Sequence, residues 1–243
     1  KLGVKDTDWL NPNSKASERP SQSTEVLFIE QAEKYLVEGG YLAIVVPDGV
    51  LTNSSMQYVR DYISDTFRIV AVVSMPQTAF SANGAGVKSS VMFLKKYSAS
   101  DKQARIDLRN TTQNNLISNS DDGIRLLELF KKKKEEIAKI NKQIKQGEKA
   151  ENKSEIEILK NRKQAITEEY DEQIEITKEN LSDAFLEQYK QALNGYPIFM
   201  AIAEDIGYDA TGKETNGNEL PAISEELAKF IKAIEEGKDY FFQ

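Results

Sequence analysis

The chain has 243 residues and a formal net charge of −7, and 40% of its residues are hydrophobic and 29% are charged. This composition is typical of a globular protein that carries some charged segments outside its compact core. The chain contains no Cys and no His, which excludes disulfides, thiolate and imidazole catalysis, and zinc sites of the usual type. The negative charge argues against a surface that wraps a polyanion on all sides, although it permits a local basic patch.

The sequence carries no targeting or membrane signal. No apolar run approaches the roughly 20 residues that span a bilayer, and no signal peptide opens the chain. We therefore expect no membrane association and a cytoplasmic location, which the lack of cysteine also fits. The chain begins Lys1-Leu2-Gly3 without a Met, and we expect it to be an internal or processed fragment.

Residues 1–23 are polar and rich in turn-forming residues, which predicts a loop. The pair Asn11-Pro12 has two interpretations. Asn-Pro followed by Pro or Asp and then an aromatic residue resembles the adenine-binding loop of amino-methyltransferases. Here Asn13-Ser14 follows the pair and no apolar strand precedes it, so we predict a turn.

Helical and β-rich patterns alternate over the next 75 or so residues. The predicted elements are a helix from Ser23 to Gly39, a strand at Tyr41–Val46, a helix around Met56–Ile63 capped by Asn53, Ser54 or Ser55, and strands at Phe67–Met75 and Ser89–Lys95. The short, continuous apolar run Tyr41–Val46 favours a buried central strand of a parallel sheet. Loops that leave the carboxyl ends of such strands line the ligand crevice of open α/β sheets, so Pro47-Asp48-Gly49 is either part of a site or a plain turn.

The chain changes character after residue 97. Residues 98–122 are polar, with Ile106-Asp107-Leu108 as a candidate edge strand. Between 124 and 193, apolar residues spaced by three, four or seven predict two long helices in an antiparallel hairpin, with a break at 146–153 and a capping box at Ser154. Lys131 to Lys134 can be interpreted as a nucleic-acid patch or as a solvated coiled-coil face, and the neighbouring acids favour the second.

The tail is predicted to contain a strand within 196–206, a loop over 207–220, and a helix that Ser224 caps and that ends near Glu236. These changes of composition divide the chain into four predicted segments. They are a partial α/β domain at 1–97, a polar linker or edge strand at 98–123, a helical hairpin or coiled coil at 124–193, and a C-terminal segment at 194–243.

Ser23 to Lys96 resembles the C-terminal half of the catalytic domain of N6-adenine DNA methyltransferases, most closely the modification subunit of type I restriction systems and its fused relatives. The matching residues are Thr24 to Glu30, Gly39-Gly40 with Ala43 to Leu51, Tyr58-Val59-Arg60, and Phe80 with Gly84 to Leu94. Strand, Pro-Asp-Gly loop, aromatic loop and final strand occur in family order, and Gly207 to Gly212 is similar to a tail segment of these proteins. The resemblance implies the C-terminal half of a Rossmann-like S-adenosylmethionine-dependent methyltransferase domain, followed by the helical hairpin and a small α/β tail.

The family transfers a methyl group from S-adenosylmethionine to N6 of adenine in DNA. The resemblance therefore implies DNA as the substrate and S-adenosylmethionine as the cofactor. It also implies that the protein works in a restriction-modification system, with specificity and restriction subunits or fused equivalents as partners. Neither the family's cofactor-binding strand with its Gly-rich turn nor its Asn-Pro-Pro-aromatic loop has a counterpart in the sequence. We expect both to lie upstream of Lys1, so this fragment should hold no catalytic residue and transfer no methyl group alone. The alternative is an assembly module whose helical hairpin docks a partner subunit or a second copy.

The resemblance also implies four site residues. The family flips the target base out of the duplex, and an aromatic residue from the loop before the last strand stacks against it. Phe80 fits that role, or anchors its loop in the core. Lys88 contacts a phosphate or is a solvated flank. Asp48 and Asn53 line the base pocket, or serve as a turn former and a helix cap.

Overall fold

The structure is a computed structural model that describes residues 8–14, 21–193 and 195–238 together with the backbone of 5–6 and 17–18. The strands are β1 (Lys5–Asp6), β2 (Ser17–Glu18), β3 (Tyr41–Pro47), β4 (Phe67–Ser74), β5 (Ser89–Lys96), β6 (Phe199–Ile202), β7 (Ile206–Tyr208) and β8 (Glu214–Asn218). The helices are α1 (Thr24–Tyr35), α2 (Asp48–Thr52), α3 (Gln57–Thr66), α4 (Ala99–Asn119), α5 (Asp121–Lys149), α6 (Lys153–Ala192) and α7 (Leu220–Glu235). The chain divides into two compact units, residues 1–7, 15–106 and 196–243 in the first and 8–14 and 107–195 in the second.

The first unit is built on a mixed four-stranded sheet in the order β3-β5-β4-β6. Strand β5 runs antiparallel to both of its neighbours, and β6 runs parallel to β4. The predicted α/β class is confirmed, since the chain has a mixed sheet and long helices. That the first unit is the C-terminal half of a Rossmann-like domain stays a prediction.

Strand β3 was expected at the centre of a parallel sheet, and this prediction is wrong within the described residues. Strand β3 lies at the edge of the sheet and pairs only with β5, antiparallel, with Val45 opposite Val91. Along the strand, Leu42, Ile44 and Val46 face the core while the side chains between them are exposed. The exposed positions are also apolar, so the sequence shows a continuous run and hides the alternation typical of a half-buried edge strand.

Helices cover both faces of this sheet. One face packs with α1, α2 and α3 in a core that includes Val26, Ile63, Phe67 and Leu94. On the other face Phe230 of α7 packs against Phe199 of β6, with ring centroids 5.8 Å apart. The strand predicted within 196–206 therefore shrinks to β6, which joins the main sheet as its fourth strand.

The second unit is a bundle of long helices. Helices α5 and α6 run antiparallel, since Lys133 pairs with Asp171 and Tyr170 hydrogen-bonds Glu136 at 2.9 Å. Their core contains Leu126, Leu181 and Phe185, and Trp9 contacts the ring of Phe185 at 5.4 Å. The segment around Asn11-Pro12 forms the predicted turn, and the side-chain oxygen of Asn11 accepts the N–H of Asn13 at 3.0 Å.

The polar linker was expected to hold an edge strand at 106–108, but these residues lie inside helix α4. The buried positions of α4 are Arg109, Thr112 and Leu116, which recur at helical spacing. Two of the three are polar, so the stripe that packs into the bundle carries almost no apolar signal. Strand propensity at Ile106 and Leu108 was therefore misleading.

Several element ends also differ from prediction. Asn152 caps α6 by accepting the N–H of Glu155, so the cap is not Ser154. Helix α7 begins at Leu220, four residues before Ser224. The predicted loop over 207–220 contains most of the β-hairpin β7–β8, in which β8 carries Glu, Thr and Asn in place of an apolar alternation and β7 is only three residues long. No helix among the described residues is long and apolar enough to cross a membrane.

Candidate functional site

Three strands of the sheet end along one edge. Because β5 is antiparallel to both β3 and β4, those two strands are parallel to each other, and β6 is parallel to β4. Their last residues, Pro47, Ser74 and Ile202, therefore lie on the same side of the sheet, which we call the carboxyl edge. Ligands of open α/β sheets bind outside the carboxyl ends of the strands, so the segments that leave this edge form the candidate site.

Asp48 joins two of these segments. Its backbone N–H donates to the carbonyl oxygen of Lys88 at 3.0 Å, and the Ser90 hydroxyl donates to its Oδ1 at 2.7 Å. Ser90 is buried at 2% exposure while Asp48 is half-buried. The carboxylate thus holds the start of α2 against the start of β5. Its second oxygen, Oδ2, accepts no hydrogen bond from the described residues, which leaves it available to a ligand.

Asp48 and Gly49 open the short helix α2, where a turn was predicted. Asn53 follows its end, and the side-chain amide of Asn53 lies so close to Gly49 that a Cβ there would stand 2.9 Å from Nδ2. Arg60 on α3 donates to the carbonyl oxygens of Asn53 at 2.8 Å and Val50 at 3.1 Å. Asn53 makes no side-chain cap to the helical turn that follows it. Its exposed amide can therefore still reach a ligand at the carboxyl edge.

The segment 76–88 between β4 and β5, which we call the aromatic loop, is ordered by its own hydrogen bonds. The Phe80 carbonyl oxygen accepts the N–H groups of Asn83 and Ala85, and the Gln77 amide donates to the Gly86 carbonyl oxygen at 2.7 Å. Gly84 adopts a φ of 80°, a left-handed conformation that favours glycine. The conformation of the loop is thus held by these hydrogen bonds, none of which involves the side chain of Phe80.

Phe80 is half-buried and belongs to none of the three hydrophobic clusters of the described residues. Lys88 is exposed, next to Val87 at 60% exposure. Both residues therefore present surface at the carboxyl edge, together with Asp48 and Asn53 on the neighbouring segment. The structure brings the four predicted residues to one edge of the sheet. Their functional roles stay predictions.

The hairpin β7–β8 also reaches this edge, and the sequence did not predict it. A Cβ built on Gly212, at the tip of the hairpin, would lie 3.3 Å from the Cβ of Ala82 in the aromatic loop. The tip is braced by Asp209, whose Oδ1 accepts the Thr211 hydroxyl at 2.7 Å and the N–H groups of Thr211 and Lys213 at 2.8 and 3.0 Å. These hydrogen bonds hold the pKa of Asp209 below its usual value. Ser90, Arg60 and this hairpin received no role at the site from the sequence, although all three overlap segments that carry the family resemblance.

The chain matches one known protein family over most of its length. A model of the N-6 DNA methylases matches residues 4–179, which is more than half of the chain. The chain belongs to the N-6 DNA methylase family. The match runs past the aromatic loop and through α4 and α5 into α6, so it contains α4, α5 and the part of α6 up to residue 179.

A solved structure gives a more limited likeness. It is a Listeria monocytogenes protein assigned to the class I S-adenosylmethionine-dependent methyltransferases, 28% identical over 35% of this chain, with a TM-score of 0.30. The match covers 25% of that protein, so this chain spans only about a quarter of its length. No curated protein matches the chain with statistical significance.

Family membership raises the question of whether these residues can hold S-adenosylmethionine. A nucleotide-like cofactor in this type of sheet sits on a Gly-rich turn that leads from a strand into a helix N-terminus. The pair Gly84 and Gly86 instead precedes β5, within the aromatic loop. The described residues of this N-6 DNA methylase therefore do not form a cofactor cradle of this Gly-rich type. They also contain no cluster of acidic side chains that could hold a metal ion.

Proposed function

We propose that the chain is one part of a DNA methyltransferase that moves the methyl group of S-adenosylmethionine to N6 of adenine. The family match over residues 4–179 carries this proposal. Because the described residues lack a cofactor cradle, we propose that this stretch supplies the DNA-facing side of the site and is inactive alone. By resemblance, the whole protein would be a type I modification subunit or fused relative that works with specificity and restriction subunits.

The carboxyl edge gives each side chain a role in this proposal. Phe80 would stack on the flipped adenine, an interaction worth about 1–3 kcal/mol per base. The free Oδ2 of Asp48 and the amide of Asn53 would accept and donate hydrogen bonds at the base edge. Lys88, exposed beside the start of β5, would contact a backbone phosphate and help to place the duplex. The hydrogen bonds that fix these segments would hold the pocket in shape before the base enters.

Methyl incorporation by the full-length protein that contains this chain tests the proposal. Radiolabelled S-adenosylmethionine is supplied with cognate DNA and any specificity subunit, and 2-aminopurine at the target position reports base flipping by fluorescence. We expect Phe80→Ala to lower kcat/KM by about ten- to a hundredfold, in line with the lost stacking, and to weaken the fluorescence rise. Tyr35→Ala is the matched control, since Tyr35 is an aromatic residue that is 81% exposed at the end of α1.

Two results would count against this function. Absence of methyl incorporation with cognate DNA and every specificity subunit would remove the methyltransferase assignment. Equal effects of Phe80→Ala and Tyr35→Ala would leave the enzyme but remove Phe80 from the base pocket.

A second candidate function is assembly. Helices α5 and α6 are 29 and 40 residues long, and large apolar side chains on them stay exposed, among them Ile158 at 65% and Leu186 at 58%. A docking role for this helix pair is motivated by its apolar residues, which recur at heptad-like spacing in a charged background. Deletion of residues 131–179 with no change of assembly mass in light scattering would remove support for this candidate.

A further inference from the structure

Charge is segregated along the pair of helices α5 and α6. We define the distal half as residues 131–168, which surround the connection between the two helices, and the proximal half as 107–130 with 169–193. The distal half has twelve Lys and Arg against seven Glu, a net charge of +5. The proximal half has four Lys and Arg against eleven Asp and Glu, a net charge of −7. The chain is acidic as a whole, but its helix pair α5 and α6 concentrates positive charge at the end where the two helices are connected.

A long shallow groove, which we call the basic groove, runs along the distal half and begins at Phe130, the last residue of α5 in the proximal half. Two hollows of about 510 and 440 Å³ meet at Asn141 and form it. Its floor is partly apolar, with Phe130, Ile137 and Ile144 of α5. Lys134, Lys160 and Lys163 stand among the lining residues and make no ion pair with described residues. The groove therefore combines apolar surface with positive charge that is not neutralised within the described part of the chain.

The proximal part of α6 carries a complementary surface, which we call the acidic stripe. Its members recur at intervals of three and four on the side of the helix away from the core: Glu169, Glu172, Ile176, Glu179, Asp183 and Leu186. All of them are exposed, and Ile176 remains 52% exposed although it is a large apolar residue. The stripe thus pairs negative charge with two apolar side chains that the chain itself leaves uncovered.

We propose that a second copy of this chain docks antiparallel on α5 and α6, so that the acidic stripe of each copy lies in the basic groove of the other. Two-fold symmetry makes the two contacts equivalent, because turning one helix pair end to end sets each distal half beside the partner's proximal half. The two surfaces have comparable lengths at 1.5 Å per residue: the acidic stripe from Glu169 to Leu186 is about 26 Å long, and the groove from Phe130 to Ile144 is about 21 Å long.

Charge complementarity and the apolar floor together favour a second copy over DNA. A phosphate backbone would engage the lysines but would leave Phe130, Ile137 and Ile144 without an apolar partner. The acidic stripe offers both negative charge and apolar side chains, and it exists on every copy of the chain. This interface concerns assembly and holds whether or not the protein transfers methyl groups.

Sedimentation equilibrium of the chain over a concentration series tests the interface. We expect a monomer–dimer equilibrium that weakens as salt rises, because the pairs between groove and stripe are screened. The groove variant Lys134→Glu/Lys160→Glu/Lys163→Glu and the stripe variant Glu169→Lys/Glu172→Lys/Glu179→Lys should each raise the dissociation constant by on the order of a hundredfold. Mixing the two variants should restore dimers, since each groove then meets a stripe of opposite charge.

A control variant separates this effect from net charge. Lys34→Glu/Lys213→Glu/Lys232→Glu makes the same change of charge as the groove variant but in the first compact unit, and it should leave the dissociation constant unchanged. Circular dichroism shows whether each variant keeps its helices, and the mixing experiment reports only on folded chains. A chain that stays monomeric at every concentration would overturn the proposal. So would variants that fail to rescue one another, or a monomer that binds duplex DNA through the three groove lysines.

Discussion

The hydrogen bond between Ser90 and Asp48 should determine how firmly the carboxyl edge is held. Ser90→Ala removes a hydroxyl that is 2% exposed and donates to a carboxylate oxygen at 2.7 Å. Hydrogen bonds to charged groups contribute about 1.5–3 kcal/mol, and Asp48 is half-buried so that water can partly replace the lost donor. We expect the lower end of that range, about 1.5 kcal/mol, which is roughly a tenfold change in an opening equilibrium.

Hydrogen exchange measured by mass spectrometry on peptides that cover β3–α2 and the start of β5 gives this free energy locally. A local measurement is needed because the chain has two compact units and global unfolding need not be two-state. Ser74→Ala is the matched control. Ser74 stands opposite Ser90 on β4, and its hydroxyl makes no hydrogen bond to the described residues, so we expect a change within about 0.5 kcal/mol.

A double-mutant cycle with Asp48→Ala isolates the pair. If the hydrogen bond holds the two segments together, the coupling free energy between Ser90→Ala and Asp48→Ala should be about 1–2 kcal/mol. Additive effects of the two substitutions, or equal exchange rates for Ser90→Ala and Ser74→Ala, would refute this reasoning. The edge would then be held by the backbone hydrogen bond between Asp48 and Lys88 alone.

Two further predictions concern other parts of the chain. Leu181→Ala should destabilise the helical unit by about 2–5 kcal/mol, because Leu181 is 1% exposed in the cluster that also contacts Trp9. Urea unfolding at dilute protein concentration, followed by Trp9 fluorescence, measures this effect. The control Leu186→Ala removes a side chain that is 58% exposed and should change the urea midpoint little. Equal midpoints for the two variants would contradict the prediction. Hydrogen bonds from Thr211 and Lys213 lower the pKa of Asp209 below its ordinary 3.8, so its contribution to the hairpin is present at neutral pH and is lost as pH falls through that lowered value. An NMR titration of Thr211 and Lys213 amides should show this loss in the wild type, and Asp209→Asn should abolish the pH dependence; a titration midpoint above 3.8 would contradict the sign.

The sequence predicts best where one face of an element is apolar and the other polar. Helices α1 and α3 lie close to their predicted positions for this reason, and strands β4 and β5 do so because each contains a short β-rich apolar run. Strand β3 was placed in the sheet but assigned the wrong neighbours, because both of its faces are apolar and only one is covered by described residues. Pairing partners depend on long-range contacts that hydrophobic periodicity does not encode.

Polar elements were the ones missed. Helix α4 buries Arg109 and Thr112, strand β8 carries no large apolar residue and strand β7 is only three residues long, so neither α4 nor the hairpin showed the pattern of its class. The hairpin did contain a local signal, since Asp209 followed two residues later by Thr211-Gly212 is a turn in which the Asp side chain bonds the backbone. Ser90 was visible only as one of two Ser residues that open an apolar strand. Its partner Asp48, 42 residues away, could come only from the structure.

The loops of the candidate site are fixed by hydrogen bonds, but several side chains on them remain accessible. Asp48, Arg60, Gln77 and Asp209 all fix loops through bonds to backbone or to a buried hydroxyl. Phe80, Lys88, Asn53 and Oδ2 of Asp48 stand on those same fixed loops with their polar atoms or ring still accessible. Loops kept only for connection do not need this much internal bonding, whereas a binding site requires unsatisfied groups on rigid supports. The bond from Ser90 to Asp48 is therefore the contact to break first, because it should loosen the support of the proposed pocket without removing any of the groups proposed to touch the base.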